Sequence, residues 1–95
     1  VYAGSMADRD DIEIRRKRLR FRCWHRGSRE SDLLLGRFAD HHLDVLDSQR
    51  LFQLEALLAE EDPDIWDWAL GRRPVPAAHD TPVMALLRRG VGTDA

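Results

Sequence analysis

The chain has a single cysteine, Cys23, among its 95 residues. One thiol excludes an intramolecular disulfide and a Cys-rich zinc site, and it points toward a reducing compartment. No run of 18 apolar residues occurs, so no membrane-spanning helix is expected. The first residues carry no apolar core of the secretory kind, so no signal peptide is expected. Neither a GxGxxG fingerprint nor a Walker A loop is present, which removes the two commonest ways of cradling a nucleotide phosphate. Strict alternation of apolar and polar residues beside hairpin turn residues is also missing, so nothing marks a sheet. At this length about 60–65% of the unfolded surface can be buried, enough for one modest core. A multi-step enzyme with its own cofactor domain does not fit that size. Charged residues at 34% and hydrophobic ones at 43% suit a folded soluble domain.

The net charge of -2 conceals an uneven distribution. Eight of the 15 basic residues lie between Arg15 and Arg29, whereas Leu51 to Gly71 holds six acids and no base. Such a dipolar chain can orient an encounter with a charged partner, or its two runs can be solvated faces that partly neutralise each other. Residues 1–5 read as an added leader before a native start at Met6, residues 6–90 as one helical domain, and residues 91–95 as a tail.

Helix punctuation is frequent. Asp10 or Asp11 can cap a first helix to about Trp24, with Asp10 and Glu13 at capping-box spacing. Ile12, Leu19 and Cys23 share one side of it. A second helix is expected from Ser28 to Leu46, with Leu34, Phe38, His42 and Val45 on one face. Asp47 or Ser48 can cap a third, carrying Leu51, Leu54 and Leu58. Asp62 as N-cap, Pro63 at the first position and Gly71 past the end bracket a fourth. Thr81, Pro82 and Gly90 repeat that pattern around a fifth. Between the last two, Pro74 and Pro76 call for an extended connector. The fold class is all-α, a small five-helix bundle, with Leu19, Leu34, Phe38, Leu54, Leu58, Ile65, Leu70 and Leu86 as core residues.

Chemistry-bearing residues are sparse. His41 and His42 are adjacent and point apart on a helix, so they do not form the i, i+4 pair of a zinc site. Cys23 and His25 lie about 200° apart on a helix and form no dyad. Trp66 and Trp68 are separated by the same angle, so one of them is left over as an interface anchor. In Arg26-Gly27-Ser28-Arg29-Glu30, Gly27 can stop the first helix or admit a partner's backbone. Glu30 can cap the second helix or face a partner. The Arg-dense first helix also admits nucleic-acid binding or another protein-interaction role. Against nucleic acid stand a pI of about 6.1 and the lack of interleaved aromatic residues.

Arg26, Gly27 and Glu30 spell R-G-x-x-E; Asp32, Leu34, Leu35, Gly36 and Phe38 spell D-x-[LI]-L-G-x-F. Further on, Leu54, Leu57 and Leu58 precede Asp62, Asp64, Ile65 and Trp68 in the order LL…D-x-D-[IL]-x-x-W. This arrangement, over about residues 12 to 89, resembles the small succinate dehydrogenase assembly factors that promote covalent flavin attachment. The tail after Gly90 matches nothing in that pattern. The resemblance implies a five-helix helper rather than an enzyme. It would bind the flavoprotein subunit of succinate dehydrogenase, with fumarate reductase as a second client. It would assist the largely autocatalytic bond between a histidine of that subunit and FAD. It implies no tightly bound cofactor and no metal, with FAD held by the partner. No nucleic-acid partner and no membrane insertion are implied. The free protein would be a monomer, in the bacterial cytoplasm or, alternatively, the mitochondrial matrix. The partner-binding residues would be Trp24, His25, Arg26, Gly27, Ser28, Arg29 and Glu30, joined by Asp64 and Trp66.

Overall fold

A computed structural model describes residues 3–94, and the side chains of residues 11–91. Five helices follow one another: α1 (Ala3–Trp24), α2 (Arg29–His42), α3 (Ser48–Leu58), α4 (Asp62–Ala69) and α5 (Pro82–Asp94). Single 3₁₀ turns stand at Leu43–Val45 and Ala77–His79, and there is no strand among the described residues. The long α1 lies against α2 and α3, and α5 closes the bundle against α3 and α4.

Most helix starts follow local chemistry. Ser28 caps α2, its Oγ accepting from Ser31 N at 3.2 Å. Asp47 caps α3 by accepting from Arg50 N at 2.9 Å. Thr81 caps α5 through Met84 N at 3.2 Å. Each such cap is worth about 1 kcal/mol. Gly71 ends α4 with φ +76°, the left-handed conformation that glycine adopts at least cost.

Other expected boundaries move. α1 begins at Ala3, so Asp10 is interior, and Glu13 pairs with Arg16 at 3.1 Å instead of closing a capping box. The residue that caps α4 is Glu61 rather than Asp62, and it makes no side-chain cap bond; Asp62 is drawn elsewhere, as described below. α5 runs through Gly90, because an exposed glycine only weakens a helix and Val91 beyond it still packs on the core. α2 tightens into a 3₁₀ turn after His42. That change of period swings Val45 outward to 78% exposure and turns Leu43 and Leu46 inward.

The core draws Leu19 and Cys23 from α1, Leu35, Phe38 and Ala39 from α2, and Leu51, Leu54, Leu57 and Leu58 from α3. Leu43 and Leu46 beside the 3₁₀ turn, Ile65, Trp68 and Ala69 of α4 and Val83, Met84 and Leu87 of α5 complete it. Expected core residues Leu34 and Leu86 are only half-buried, packing on the core edge. Leu70 is 39% exposed, since it caps α4 where the chain turns away. Four of the eight clustered basic residues are consumed internally. Arg15 reaches Glu55 at 3.0 Å, Arg20 faces Asp40 and Asp44, and Arg26 meets Asp62. Arg16 holds the Leu43 and Leu46 carbonyls at 3.2 and 2.9 Å.

Candidate functional site

The α1–α2 turn is built by four neighbours. After Trp24 the chain leaves α1, and Gly27 takes φ +114°, a value L side chains rarely adopt. Ser28 then starts α2. The Asp32 carboxylate reaches back across the turn to accept from the Arg26 backbone N–H at 2.5 Å. The open end of α2 is thus capped by Ser28 and the turn before it is tied back by Asp32, neither by Glu30. The Glu30 side chain is exposed and makes no hydrogen bond or ion pair with a described residue. Gly27 is equally open: a Cβ there would meet nothing within 4 Å.

Arg26 takes the opposite orientation. Its side chain is 13% exposed. Nε donates to Asp62 Oδ1 at 2.9 Å, Nη1 to the Leu58 carbonyl at 2.7 Å, and Nη2 to the Glu60 carbonyl at 2.8 Å. The sequence pattern placed Arg26 among residues facing outward, yet its guanidinium is spent inside the molecule. Residues 26 and 62 lie too far apart for spacing to announce the pair.

The other expected site residues divide. Trp24, His25, Gly27, Ser28 and Arg29 line one shallow, open depression with Asp32 and Leu33. The Trp24 ring lies over Gly36, where a Cβ would come within 2.2 Å of it, and its Nε1 donates to Asp40 at 3.3 Å. Gly36 is therefore glycine because an aromatic ring occupies its side-chain space. His25 is exposed and stacks on Phe21, ring centroids 4.0 Å apart. Of the two α4 tryptophans, Trp68 enters the core against His79. Trp66 is half-buried, and its Nε1 donates to Ser31 Oγ at 3.0 Å, which joins α4 to the first turn of α2. Asp64 is not joined to the loop by any described bond; it pairs with Arg73. The Arg73 guanidinium donates to the Asp64 and Asp67 carboxylates, and these bonds hold it above its ordinary pKa.

Sequence reasoning missed Ser31 and its bond to Trp66. It also missed the His79–Glu60 contact, 2.7 Å between Nε2 and Oε2. A serine one residue past the R-G-x-x-E motif carried no signal of its own.

Little here can perform covalent chemistry. Burial pushes the Cys23 thiol up to about 12, against a smaller opposing pull from Arg26, Arg22 and Arg20. No group of three His, Cys, Asp or Glu side chains gathers as a metal donor set among the described residues. What the turn presents outward is one unengaged carboxylate beside an unobstructed backbone.

A family profile described as a flavinator of succinate dehydrogenase matches residues 17–91. The chain belongs to this family. It is 39% identical over 75 residues to the FAD assembly factor SdhE of Acetobacter pasteurianus, covering 79% of this chain and 69% of that protein. It is 37% identical over 84 residues to the mitochondrial succinate dehydrogenase assembly factor 2 of Dictyostelium discoideum, covering 88% and 60%. To assembly factor 2-A of Drosophila yakuba, also mitochondrial, it is 36% identical over 84 residues, covering 86% and 52%. The chain thus spans little more than half the length of the mitochondrial relatives. As a member of this flavinator family it contains the R-G-x-x-E turn within the matched segment, with the glycine and glutamate facing out and the arginine facing in.

Proposed function

We propose that this protein binds the flavoprotein subunit of succinate dehydrogenase and promotes covalent attachment of FAD to a histidine of that subunit. The observation that carries the reading is the turn at Gly27 and Glu30. It is held from inside by Arg26, Ser28 and Asp32, while its outward groups have no described partner. Family membership supplies the class of client. The protein acts by position: a bound partner raises the population of a reactive arrangement in the subunit. Its own rigidity lowers the ordering cost of that contact. It carries out no bond-making step itself, and it works as a monomer. FAD stays with the client, so purified protein carries no stoichiometric flavin absorbance. Fumarate reductase is a second client of the same surface. Relatives are both bacterial and mitochondrial, and the bacterial cytoplasm is the compartment proposed. No helix of the described residues is long and apolar enough to cross a membrane.

Nucleic-acid binding is the weaker reading. Half of the clustered cations are tied to carboxylates and carbonyls within the bundle, which thins the phosphate-facing charge.

The test supplies the protein, or its Glu30→Ala variant, as the sole assembly factor and reads in-gel flavin fluorescence of the large subunit. Attachment with wild type and its loss with Glu30→Ala, at unchanged helicity, is the expected result. Equal attachment with both, or with neither factor present, would overturn the assignment.

A further inference from the structure

Two sequence motifs meet in space at one point. Arg26 belongs to the α1–α2 turn; Asp62 opens α4, 36 residues later. Between them lie the last carbonyl of α3, Leu58, and that of Glu60 in the turn beyond it, and the same guanidinium donates to both. A cation there also faces the negative end of the α3 dipole. Only a planar fork can serve a carboxylate and two carbonyls at once, so lysine is no substitute. Five residues on, a second pin joins the same elements. Ser31, 2% exposed, accepts from Trp66 Nε1 at 3.0 Å. Glu30 stands between these two inward attachments and projects the other way.

We propose that Arg26 and Asp62 are positioning residues. Their ion pair, closed within this molecule, locks the turn against the α3–α4 corner and so sets where Gly27 and Glu30 are presented. The R-G-x-x-E turn and the D-x-D stretch are then one device, a display surface and its brace. This rests on the function proposed above, but it makes a claim about the free protein as well. An ion pair of this kind adds little net stability compared with apolar packing; its contribution is a unique geometry. Arg26 is then indispensable without touching the client.

The experiment uses Asp62→Ala and Arg26→Lys, with Asp62→Asn as a milder variant should Asp62→Ala lose helicity. Amide hydrogen exchange of the free protein is read first. Residues 26–31 should exchange at least about tenfold faster in each variant, the scale of one lost charge-assisted hydrogen bond, while the α3 and α5 core amides keep their protection. Unchanged exchange at 26–31 would overturn the proposal. Flavin attachment is read second, alone and in a Glu30→Asp background. Asp62→Ala should lower attachment about tenfold beside wild-type Glu30 and less than about twofold beside Glu30→Asp, because both act through one group. The same loss in both backgrounds would mean Asp62 acts independently of Glu30, and would also overturn it. If wild-type protein supports no attachment, the proposed function fails, and the exchange measurement alone decides whether the brace exists.

Discussion

Gly27 separates a structural glycine from a contact glycine. Any L residue at φ +114° carries backbone strain of about 1–3 kcal/mol. No further steric cost arises, because a Cβ at Gly27 meets nothing within 4 Å. Gly27→Ala and Gly27→Arg therefore share nearly the same destabilisation. Against a total stability of about 5–15 kcal/mol, both remain folded. At about 4–8 °C per kcal/mol for a domain of this size, both should melt lower by a similar amount. Their effect on the client should differ sharply. Alanine adds one methyl group to the open face; arginine fills it and blocks backbone approach. The assay pairs thermal melts by circular dichroism with in-gel flavin fluorescence, each variant being the only assembly factor supplied. Gly27→Arg should abolish attachment while Gly27→Ala keeps a substantial part of it. Equal loss in both would return Gly27 to the role of helix stop, and equal retention would remove the turn from the interface.

Phe38→Ala should cost about 3–5 kcal/mol in chemical denaturation, since Phe38 is 6% exposed in the core; an unchanged midpoint would refute that placement. Gly36→Ala drives a methyl group into the Trp24 ring and should cost about 1–3 kcal/mol with a shift in tryptophan emission. The Cys23 thiol should resist alkylation at pH 8 until the protein unfolds, because burial holds its pKa at about 12. The unfolded chain loses that proton first. Cys23 therefore contributes its full stability below the unfolded pKa of about 8.5 and loses it progressively as pH rises toward 12. Wild type should lose melting temperature over that range more steeply than Cys23→Ala, and parallel curves would count against it.

Five helices could be read directly because their signals act within one turn of chain. Asp47, Thr81 with Pro82, and Gly71 each satisfy or end a helix through bonds to residues a few positions away. Such chemistry is visible in spacing alone. The R-G-x-x-E and D-x-D motifs likewise stood out in the sequence, and both lie within the segment that the family profile matches. What each residue in them does was decided by contacts across the bundle. Glu30 and Asp32 are both carboxylates in the first turn of α2, and local rules favour either as the group that reaches back; the path of the turn through Gly27 gave the Arg26 N–H to Asp32. Trp66 and Trp68 could equally have taken the core, and the seat of α4 against α5 and the connector chose Trp68. On α2 the packing against α1 buried Leu35 rather than Leu34, and past His42 a 3₁₀ turn changed the period and turned Val45 out. Arg26 went inward because Asp62, the last carbonyl of α3 and the Glu60 carbonyl beyond it converge on it. A charge finds its partner through the fold, and a separation of 36 residues leaves no trace in local periodicity.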